Sequence, residues 1–388
     1  MAGRQQQRDS GRQQLSPGRR WGRRREREQT ARRTETLTEL GPLAGEWNRL
    51  ALAAGTPFMA AEWLEAWSEA FGHGESSWTV LRDEDGSIRA GAYCRHAGFR
   101  RLLSTTNEHG HDWEILACDD TARAELCAAL IDREDTSRVA FEGMIAGGPS
   151  ARAVVDELER AGYRILAAEE PCSPWLELPG GWEELIQSVS GSLRSQIGRR
   201  RRMLEREGQL TFRVAGKPAT LERDLATFLE LEASGWKGRD GTAIASQPAI
   251  ERLYREFAAG AAERGWLRLY LLELDGVAIA ADYGCAFAGT GIFMKTGFDE
   301  AYSRFSPGLV LRADVLRSSI EENLSAYDFL GQPDTYKTRW TSARRPRLRV
   351  WAYRKEAAAG YLYRKRVRPA LKSARGRMLS LRGGASNP

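Results

Sequence analysis

The residue types with the clearest chemical potential lie in the second half of the chain, where a carboxylate falls on an apolar helical stripe. Glu232 follows Leu225 and Phe228 at helical spacing and precedes Trp236 on the same stripe. A carboxylate among apolar side chains loses hydration energy unless it is paired, and such surroundings suit a general base for an amine. The alternative is a carboxylate at the edge of the stripe that pairs with Lys237 or with an arginine. Trp236 and Lys237, at the end of this helix, are candidates for substrate contacts.

A second candidate feature is a helix start that could hold a phosphate group. A predicted strand at 291–297 leads to a helix that begins at Ser306, Pro307, Gly308 and Leu309. Proline at the first helical position leaves neighbouring backbone N–H groups free, and glycine removes a Cβ that would block close approach. These four residues are the candidate cofactor-binding residues. The alternative is an ordinary helix start with no ligand.

A third group of residues follows a strand near the end of the second half. Asp328 lies in this predicted strand, on the face opposite its two neighbours, and is a candidate catalytic carboxylate. Tyr336, Lys337 and Trp340 follow closely and could line the same cleft. A tyrosine could protonate a leaving thiolate, and Tyr336 is the candidate for this role, with Tyr302 as a second choice. The alternative for the group is core packing with a tyrosine–lysine pair at the edge of the sheet.

The chain lacks the sequence patterns of several other catalytic chemistries. His109, His111 and Asp112 lie close together, but no further ligand clusters with them, and we predict no metal. There is no Ser-His-Asp or Cys-His arrangement with a nucleophile elbow, no P-loop and no dinucleotide-binding glycine pattern.

The elements that must position these residues follow a repeated order. In the second half the pattern predicts helices, a run of strands with a hairpin turn at Asp275-Gly276, and then a helix and two further strands. The predicted helices are 182–189, 192–207, 222–236, 249–264 and 307–322, and the predicted strands are 267–274, 277–287, 291–297, 326–330 and 348–353. The first half shows hairpins first and helix–strand alternation later. We predict an α+β fold of two similar units, each a mixed sheet with helices on it.

Clusters of proline and glycine indicate where the units meet. Pro171-Cys172-Ser173-Pro174 and Pro179-Gly180-Gly181 mark the predicted boundary. The predicted organisation is a disordered basic tail at 1–35, folded domains at 40–178 and 180–353, and a basic tail at 354–388.

The distribution of charge limits the partners. Residues 1–33 hold eleven arginines against three acidic residues, and residues 354–388 hold ten basic residues against one acidic residue, yet the whole chain carries a net charge of only +6. The body between the tails is therefore acidic, and we expect no specific nucleic-acid partner. The tails are candidates for peripheral contact with an anionic membrane; the alternative is a pair of solvated tails without a partner.

Hydropathy and cysteine usage bear on the compartment. No stretch approaches eighteen consecutive apolar residues, and the five cysteines are scattered and never form a C-x-x-C pair. This pattern suits a reducing compartment. We predict a cytoplasmic protein, with peripheral contact to the inner membrane if the tails bind lipid.

Three motifs of the second half resemble a known family. They are Ser190-x3-Arg194-x4-Arg199-Arg200-Arg201-Arg202, then Leu231-Glu232-Ala233-Ser234-Gly235-Trp236-Lys237-Gly238, and finally Lys295-Thr296-Gly297-Phe298-Asp299 with Ser306-Pro307-Gly308, Tyr327-Asp328-Phe329-Leu330-Gly331 and Tyr336-Lys337-x-x-Trp340. Together they resemble the GNAT acyltransferases with a BioF2-like domain, a group that includes cellulose-biosynthesis-associated acetyltransferases. The chain is more distantly similar to the FemABX aminoacyltransferases.

The resemblance implies a fold and an activity. The implied fold is two tandem GNAT-like domains, each a mostly antiparallel sheet flanked by helices. The implied activity is transfer of an acetyl or acyl group from acyl-CoA to a small-molecule, sugar-linked or lipid-linked amine, by direct attack in a ternary complex, in cell-envelope or polysaccharide metabolism. The alternatives are an aminoacyltransferase of the FemABX type and a non-catalytic scaffold that binds a membrane or a polysaccharide synthase.

Overall fold

A computed structural model describes residues 34–72, 75–98 and 100–367. The predicted tail at 1–35 lies outside these residues except for Thr34 and Glu35, which begin the first strand. The tail at 354–388 is described as far as Val367, so the predicted membrane contact of the tails falls mainly outside the described residues. Within the described ranges, no helix combines the length and apolarity needed to cross a bilayer.

The first half alternates short strands with helices. Its strands are β1 Thr34–Leu37, β2 Ser76–Arg82, β3 Ile88–Ala97, β4 Arg101–Ser104, β5 Leu116–Ala117, β6 Arg138–Ile145 and β7 Arg164–Glu177. Its α-helices are α1 Ala44–Ala54, α2 Ala61–Trp67, α3 Asp120–Ile131 and α4 Pro149–Arg160.

The second half opens with helices and continues with longer strands. Its helices are α5 Trp182–Ser188, α6 Gly191–Glu207, α7 Leu221–Ala233, α8 Trp236–Arg239, α9 Pro248–Glu263, α10 Pro307–Glu321, α11 Thr335–Thr338 and α12 Ala358–Leu362. Its strands are β8 Leu210–Ala215, β9 Leu267–Leu274, β10 Val277–Phe287, β11 Thr290–Phe298, β12 Ala326–Asp328 and β13 Arg344–Tyr353. The predicted hairpin at Asp275-Gly276 joins β9 to β10 and is confirmed.

The strands form one mixed, mostly antiparallel sheet. Its order is β1-β2-β3-β4-β6-β13-β7-β12-β11-β10-β9-β8, with β5 paired to β3. Each half contains one parallel pair, β4 with β6 and β11 with β12. The predicted α+β class and the predicted mixed sheet with helices on it are confirmed.

Strand β7 runs through the segment that the sequence marked as a break. Its residues 164–174 pair with β13, and Trp175–Glu177 pair with β12, so one strand belongs to both halves of the sheet. Pro171 falls where the register of β13 shifts between Arg345 and Arg347. A proline at such a bulge costs no ladder hydrogen bond, because the extra residue is unpaired in any case. The prolines of this segment therefore do not end the strand, and the domain boundary predicted here stays a prediction.

Strand β13 comes from the end of the second predicted domain but lies in the sheet of the first half. It pairs with β6 on one side and β7 on the other. Its residues Val350 and Ala352 are fully buried in the main apolar core. The division into domains at 40–178 and 180–353 stays a prediction, and β13 links the two parts wherever the boundary is drawn.

Candidate active site

The candidate site lies where the two parallel strands of the second half separate. β11 and β12 pair only from Thr290–Ile292 to Ala326–Asp328 and then diverge. A cavity of about 220 Å³ opens beyond the last pair. Its lining comes from both strands, from the segment after β12 and from the first half, and comprises Phe293, Met294, Lys295, Thr296, Phe329, Leu330, Gly331, Tyr336, Lys337, Lys237 and His111.

A bulge in β11 shapes the wall of this cavity. Lys295 pairs with Tyr283 and Phe293 pairs with Gly284, so Met294 is an extra residue without a partner on β10. A bulge re-aims the backbone and leaves ladder groups free, which is useful next to a reacting centre. The cavity therefore has a wall with backbone groups that the sheet does not fully use.

Glu232 lies behind the cavity lining, beside Lys237, because helix α7 packs directly on β11. A Cβ on Gly297 would lie 2.5 Å from both Cα and N of Glu232, so only glycine allows this approach. Glu232 is buried; its Oε1 lies 3.0 Å from Nζ of Lys237, and its Oε2 accepts the N–H of Ile244 at 2.9 Å. Nζ of Lys237 also donates to the carbonyl of Thr296 at 2.9 Å. The geometry matches the alternative in which Glu232 pairs with Lys237, and its role as a base stays a prediction.

Lys295 was not singled out from the sequence, although its motif was. It lies next to the bulge and lines the cavity, with Nζ 5.7 Å from the centre of the Tyr254 ring. Burial, together with the nearby charge of Lys237, lowers the pKa of Lys295 to about 8. The sequence signal that could have identified Lys295 is a lysine in a strand of otherwise apolar and small residues.

Lys337 and Tyr336 also line the cavity, and their predicted roles in substrate binding and proton donation stay predictions. Nζ of Lys337 donates to the carbonyls of Leu330 at 3.0 Å and Gln332 at 3.2 Å and lies 3.1 Å from Asp334. Burial lowers the pKa of Lys337. Lys337 thus organises the loop after β12, while Tyr336 stands half exposed at the rim.

Asp328 belongs to a group of four charges, three of them buried, that joins the halves. Its Oδ1 accepts the N–H of Leu330 at 2.8 Å, and its Oδ2 lies 3.5 Å from Arg345 and 3.4 Å from Arg347. Arg347 also contacts Asp112 of the first half. Burial raises the pKa of Asp328. For Asp112, although burial opposes ionisation, Arg347 and Arg345 hold the pKa below its ordinary value. This geometry favours an anchoring role for Asp328, and its catalytic role stays a prediction.

Of the two tryptophans of the predicted site, Trp340 is placed differently from the lysines, and the side chain of Trp236 lies outside what the structure describes. Trp340 is buried in the apolar cluster of the second half and is absent from the cavity lining, because its ring packs into the core beside α10. The structure therefore does not bring Trp340 to the cavity. Trp236 is the first residue of the short helix α8.

The start of helix α10 is open to a ligand. Ser306 adopts a left-handed conformation, with φ 52° and ψ 57°, and its side chain does not cap the helix. Pro307 follows at the first helical position, and a Cβ on Gly308 would meet nothing within 4 Å. Arg200 of α6 donates to the carbonyl of Arg304, so positive charge borders this helix start. The predicted phosphate role of Ser306–Leu309 is compatible with this geometry and stays a prediction.

The two histidines near the site behave as buried neutral groups. Nδ1 of His109 lies 3.2 Å from the hydroxyl of Tyr254, and His111 packs edge-on against Phe58. Burial lowers the pKa of His109 to about 3 and that of His111 to about 4. Among the described residues, no three His, Cys, Asp or Glu side chains come together as metal ligands.

The comparisons with known proteins agree with the fold. Residues 191–338 match the family model described as the acetyltransferase (GNAT) domain. This segment runs from α6 to α11 and contains both diverging strands. Over these residues the second half of the chain is therefore similar to the GNAT acetyltransferase domain, as its motifs indicated.

Solved structures extend the likeness of fold to most of the chain. The chain is similar to FemX, with 12% identity, a TM-score of 0.55, and coverage of 86% of this chain and 99% of that one. It is also similar to the C-terminal domain of a putative lysylphosphatidylglycerol synthetase from Agrobacterium fabrum, with 13% identity, a TM-score of 0.53, and coverage of 83% and 94%. These likenesses show the fold alone. No curated protein sequence matches the chain.

Proposed function

We propose that this protein transfers an acyl group from acyl-CoA to an amine acceptor, by direct attack inside the cavity between β11 and β12. The observation that carries the proposal is the separation of two parallel strands around a lysine-lined cavity within the GNAT domain. The carbonyl of a thioester bound between the diverging strands can accept hydrogen bonds from backbone N–H groups that no neighbouring strand uses. The open start of α10 would receive the pyrophosphate at Ser306–Leu309.

The transfer needs a proton acceptor and a proton donor. The amine nitrogen attacks the thioester carbon, a C–N bond forms, and the C–S bond breaks to release the thiolate. The ammonium group of the acceptor first gives a proton to a base so that the neutral amine can attack, and the nitrogen loses a second proton as the thiolate takes one up. Lys295 suits the first role, because a pKa of about 8 leaves part of its amine neutral near physiological pH. Tyr336, at the rim, remains the proposed donor to the thiolate.

A pH profile tests the base. If Lys295 is the proton acceptor, kcat rises with pH through an apparent pKa near 8. The variant Lys295→Arg should remove that rise and lower kcat about 10²-fold or more. The pH profile is measured with two amine substrates whose ammonium groups differ in pKa. A rise in kcat that depends on Lys295 stays at the same pH with both substrates, whereas a rise that depends on the substrate ammonium moves. Lys217→Arg, at an exposed lysine, is the matched control. If Glu232→Gln removes the limb and Lys295→Arg keeps it, Glu232 is the base instead.

Calorimetry with acetyl-CoA and longer acyl-CoA molecules tests the donor. We expect binding to the full chain, and weaker binding to Gly308→Val, because the added side chain would stand between the helix start and the pyrophosphate. The variant should remain folded, since a Cβ on Gly308 meets nothing within 4 Å. Absence of acyl-CoA binding by the intact chain would reject the proposal, and a FemABX-type aminoacyl donor would then be tested in its place.

The acceptor class is proposed from the family resemblance. We expect a small-molecule, sugar-linked or lipid-linked amine as the acceptor, and we propose that the reaction takes place in the cytoplasm. Incubation of the protein with acyl-CoA and an amine extract, followed by a search for mass shifts of one acyl group, identifies the acceptor. Release of free CoA thiol that depends on the extract, and that is lost in Lys295→Arg, is the supporting result.

A further inference from the structure

A second cavity lies in the first half, far along the sheet from the acyltransferase site. It measures about 420 Å³ and opens on the sheet face over β4, β6 and β13, where the segment after β13 covers it. Its floor consists of two rows of paired residues. One row is Arg101, Arg138 and Tyr353, and the other is Leu103, Ala140 and Trp351. In the second row, the small side chain of Ala140 leaves space between Leu103 and Trp351.

The first row places two like charges side by side. Arg101 and Arg138 are direct partners on the parallel strands β4 and β6 and point to the same face. Residues that alternate with them, such as Leu102 and Val139, are buried in the core on the other face. Like charges at directly opposed positions destabilise a sheet, so this arrangement costs stability in the free protein.

A third arginine completes the cluster from above. Arg364, in the segment that covers the cavity, has its guanidinium carbon 4.0 Å from the centre of the Trp351 ring and donates from Nε to the hydroxyl of Tyr353 at 3.0 Å. These contacts hold it over the floor. Nε of Arg138 is buried and has no hydrogen-bond partner. Within the described residues, none of the three guanidinium groups has a carboxylate within 4.0 Å, and none of the lining residues is acidic.

We propose that this cavity binds a phosphate ester. Three guanidinium groups line the cavity, and their N–H groups not used by Gly98 or Tyr353 supply donors that match phosphate oxygens; an anion between Arg101 and Arg138 would relieve their repulsion. The cavity is larger than a bare phosphate, so an organic substituent is part of the ligand. The phosphate could belong to a free nucleotide or to a lipid headgroup, and both present the same chemistry to the arginines.

The test is calorimetry on the full chain with three probes: inorganic pyrophosphate, ADP and glycerol 3-phosphate. We expect binding that weakens with added salt and that survives saturation with acetyl-CoA, because the two sites are separate. Arg138→Gln and Arg101→Gln should each weaken binding about tenfold or more, as expected for loss of a charge-assisted hydrogen bond. Arg252→Gln, at an exposed arginine on α9, should bind as the natural chain does.

Two further readouts separate a binding role from a structural one. Both arginine variants should melt at the same temperature as the natural chain or higher, because each removes one member of a repelling pair. Acetyl-CoA binding should be unchanged in both, which keeps this proposal independent of the acyltransferase proposal. Tighter binding of ADP indicates a free nucleotide, and tighter binding of glycerol 3-phosphate indicates a lipid headgroup. Failure of all three probes to bind, equal binding by Arg138→Gln, or a lowered melting temperature in both variants would overturn the proposal.

Discussion

Three lysines line one cavity, and their partners give them different properties. Lys237 is paired with Glu232, and Lys337 is paired with Asp334 and two carbonyls. Lys295 has no carboxylate within 4.0 Å among the described residues. Burial and the charge of Lys237 lower the pKa of Lys295 more than the charges of Glu232 and Glu108 raise it, and this is the physical reason that Lys295 suits proton transfer.

The same property predicts how stability depends on pH. The folded-state pKa of Lys295 is lowered to about 8, so between pH 8 and the ordinary lysine value of 10.5 the unfolded chain binds more protons. Stability should therefore rise with pH through this window, and below pH 8 the cost of the buried charge is fully present. Lys295→Met should be more stable than the natural chain at pH 7 by about 1–3 kcal/mol.

Denaturant unfolding at pH 7, 9 and 10.5 measures this effect. The difference in unfolding free energy between the natural chain and Lys295→Met should shrink as the pH rises. Lys217→Met, at an exposed lysine, should show no such trend. A constant difference across the three pH values would mean that the ammonium of Lys295 is not destabilised by its surroundings.

At the scale of elements, local sequence patterns predicted most of the helices and strands. The hairpin of β9 and β10 follows from Asp275-Gly276, and α6 and α9 follow from apolar residues at helical spacing. The candidate site was found in part for the same reason, since Glu232 stands on such a stripe. Strand β7 runs through Pro171 and Pro174, which the sequence analysis interpreted as marks of a domain boundary. Their tolerance depends on a bulge against β13, and no local pattern encodes that contact.

The packing of α7 on β11 gives a matched pair of glycine variants. In Gly297→Ala the new Cβ would lie 2.5 Å from the backbone of Glu232, so the helix must move. We expect a loss of about 1–3 kcal/mol in unfolding free energy, with a displaced Glu232 and Lys237. In Gly308→Ala the Cβ meets nothing within 4 Å, and stability should stay the same or rise by a few tenths of a kcal/mol.

Chemical denaturation of both variants checks the pair. A loss of unfolding free energy in Gly297→Ala, without a loss in Gly308→Ala, supports a close helix–strand contact at Gly297 alone. Equal stability of Gly297→Ala and the natural chain would show that α7 does not press on β11.

At the scale of the whole molecule, the two halves share one sheet. The repeated order of elements predicted a duplicated fold, and each half does contain one parallel strand pair. The insertion of β13 between β6 and β7 could not be predicted, because the strands that it joins lie far away in sequence and any apolar strand has the same period. The buried charges confirm how closely the halves are joined, since Arg347 of β13 contacts both Asp112 and Asp328.

Two truncations test the importance of this insertion. A chain that ends at residue 353 keeps β13 and should fold, with a lowered melting temperature, because it loses the bonds that Arg354 makes to Tyr163 and Ile131. A chain that ends at residue 343 leaves β6 and β7 without their shared partner and exposes the core around Val350 and Ala352. We expect this chain to lose cooperative unfolding, as measured by thermal circular dichroism and gel filtration.

The cavity between β11 and β12 should also be lost in the shorter chain, because Asp328 at the end of β12 would be buried without Arg345 and Arg347. If the shorter chain still unfolds cooperatively and binds acyl-CoA, the second half is an independent unit and β13 serves the first half alone.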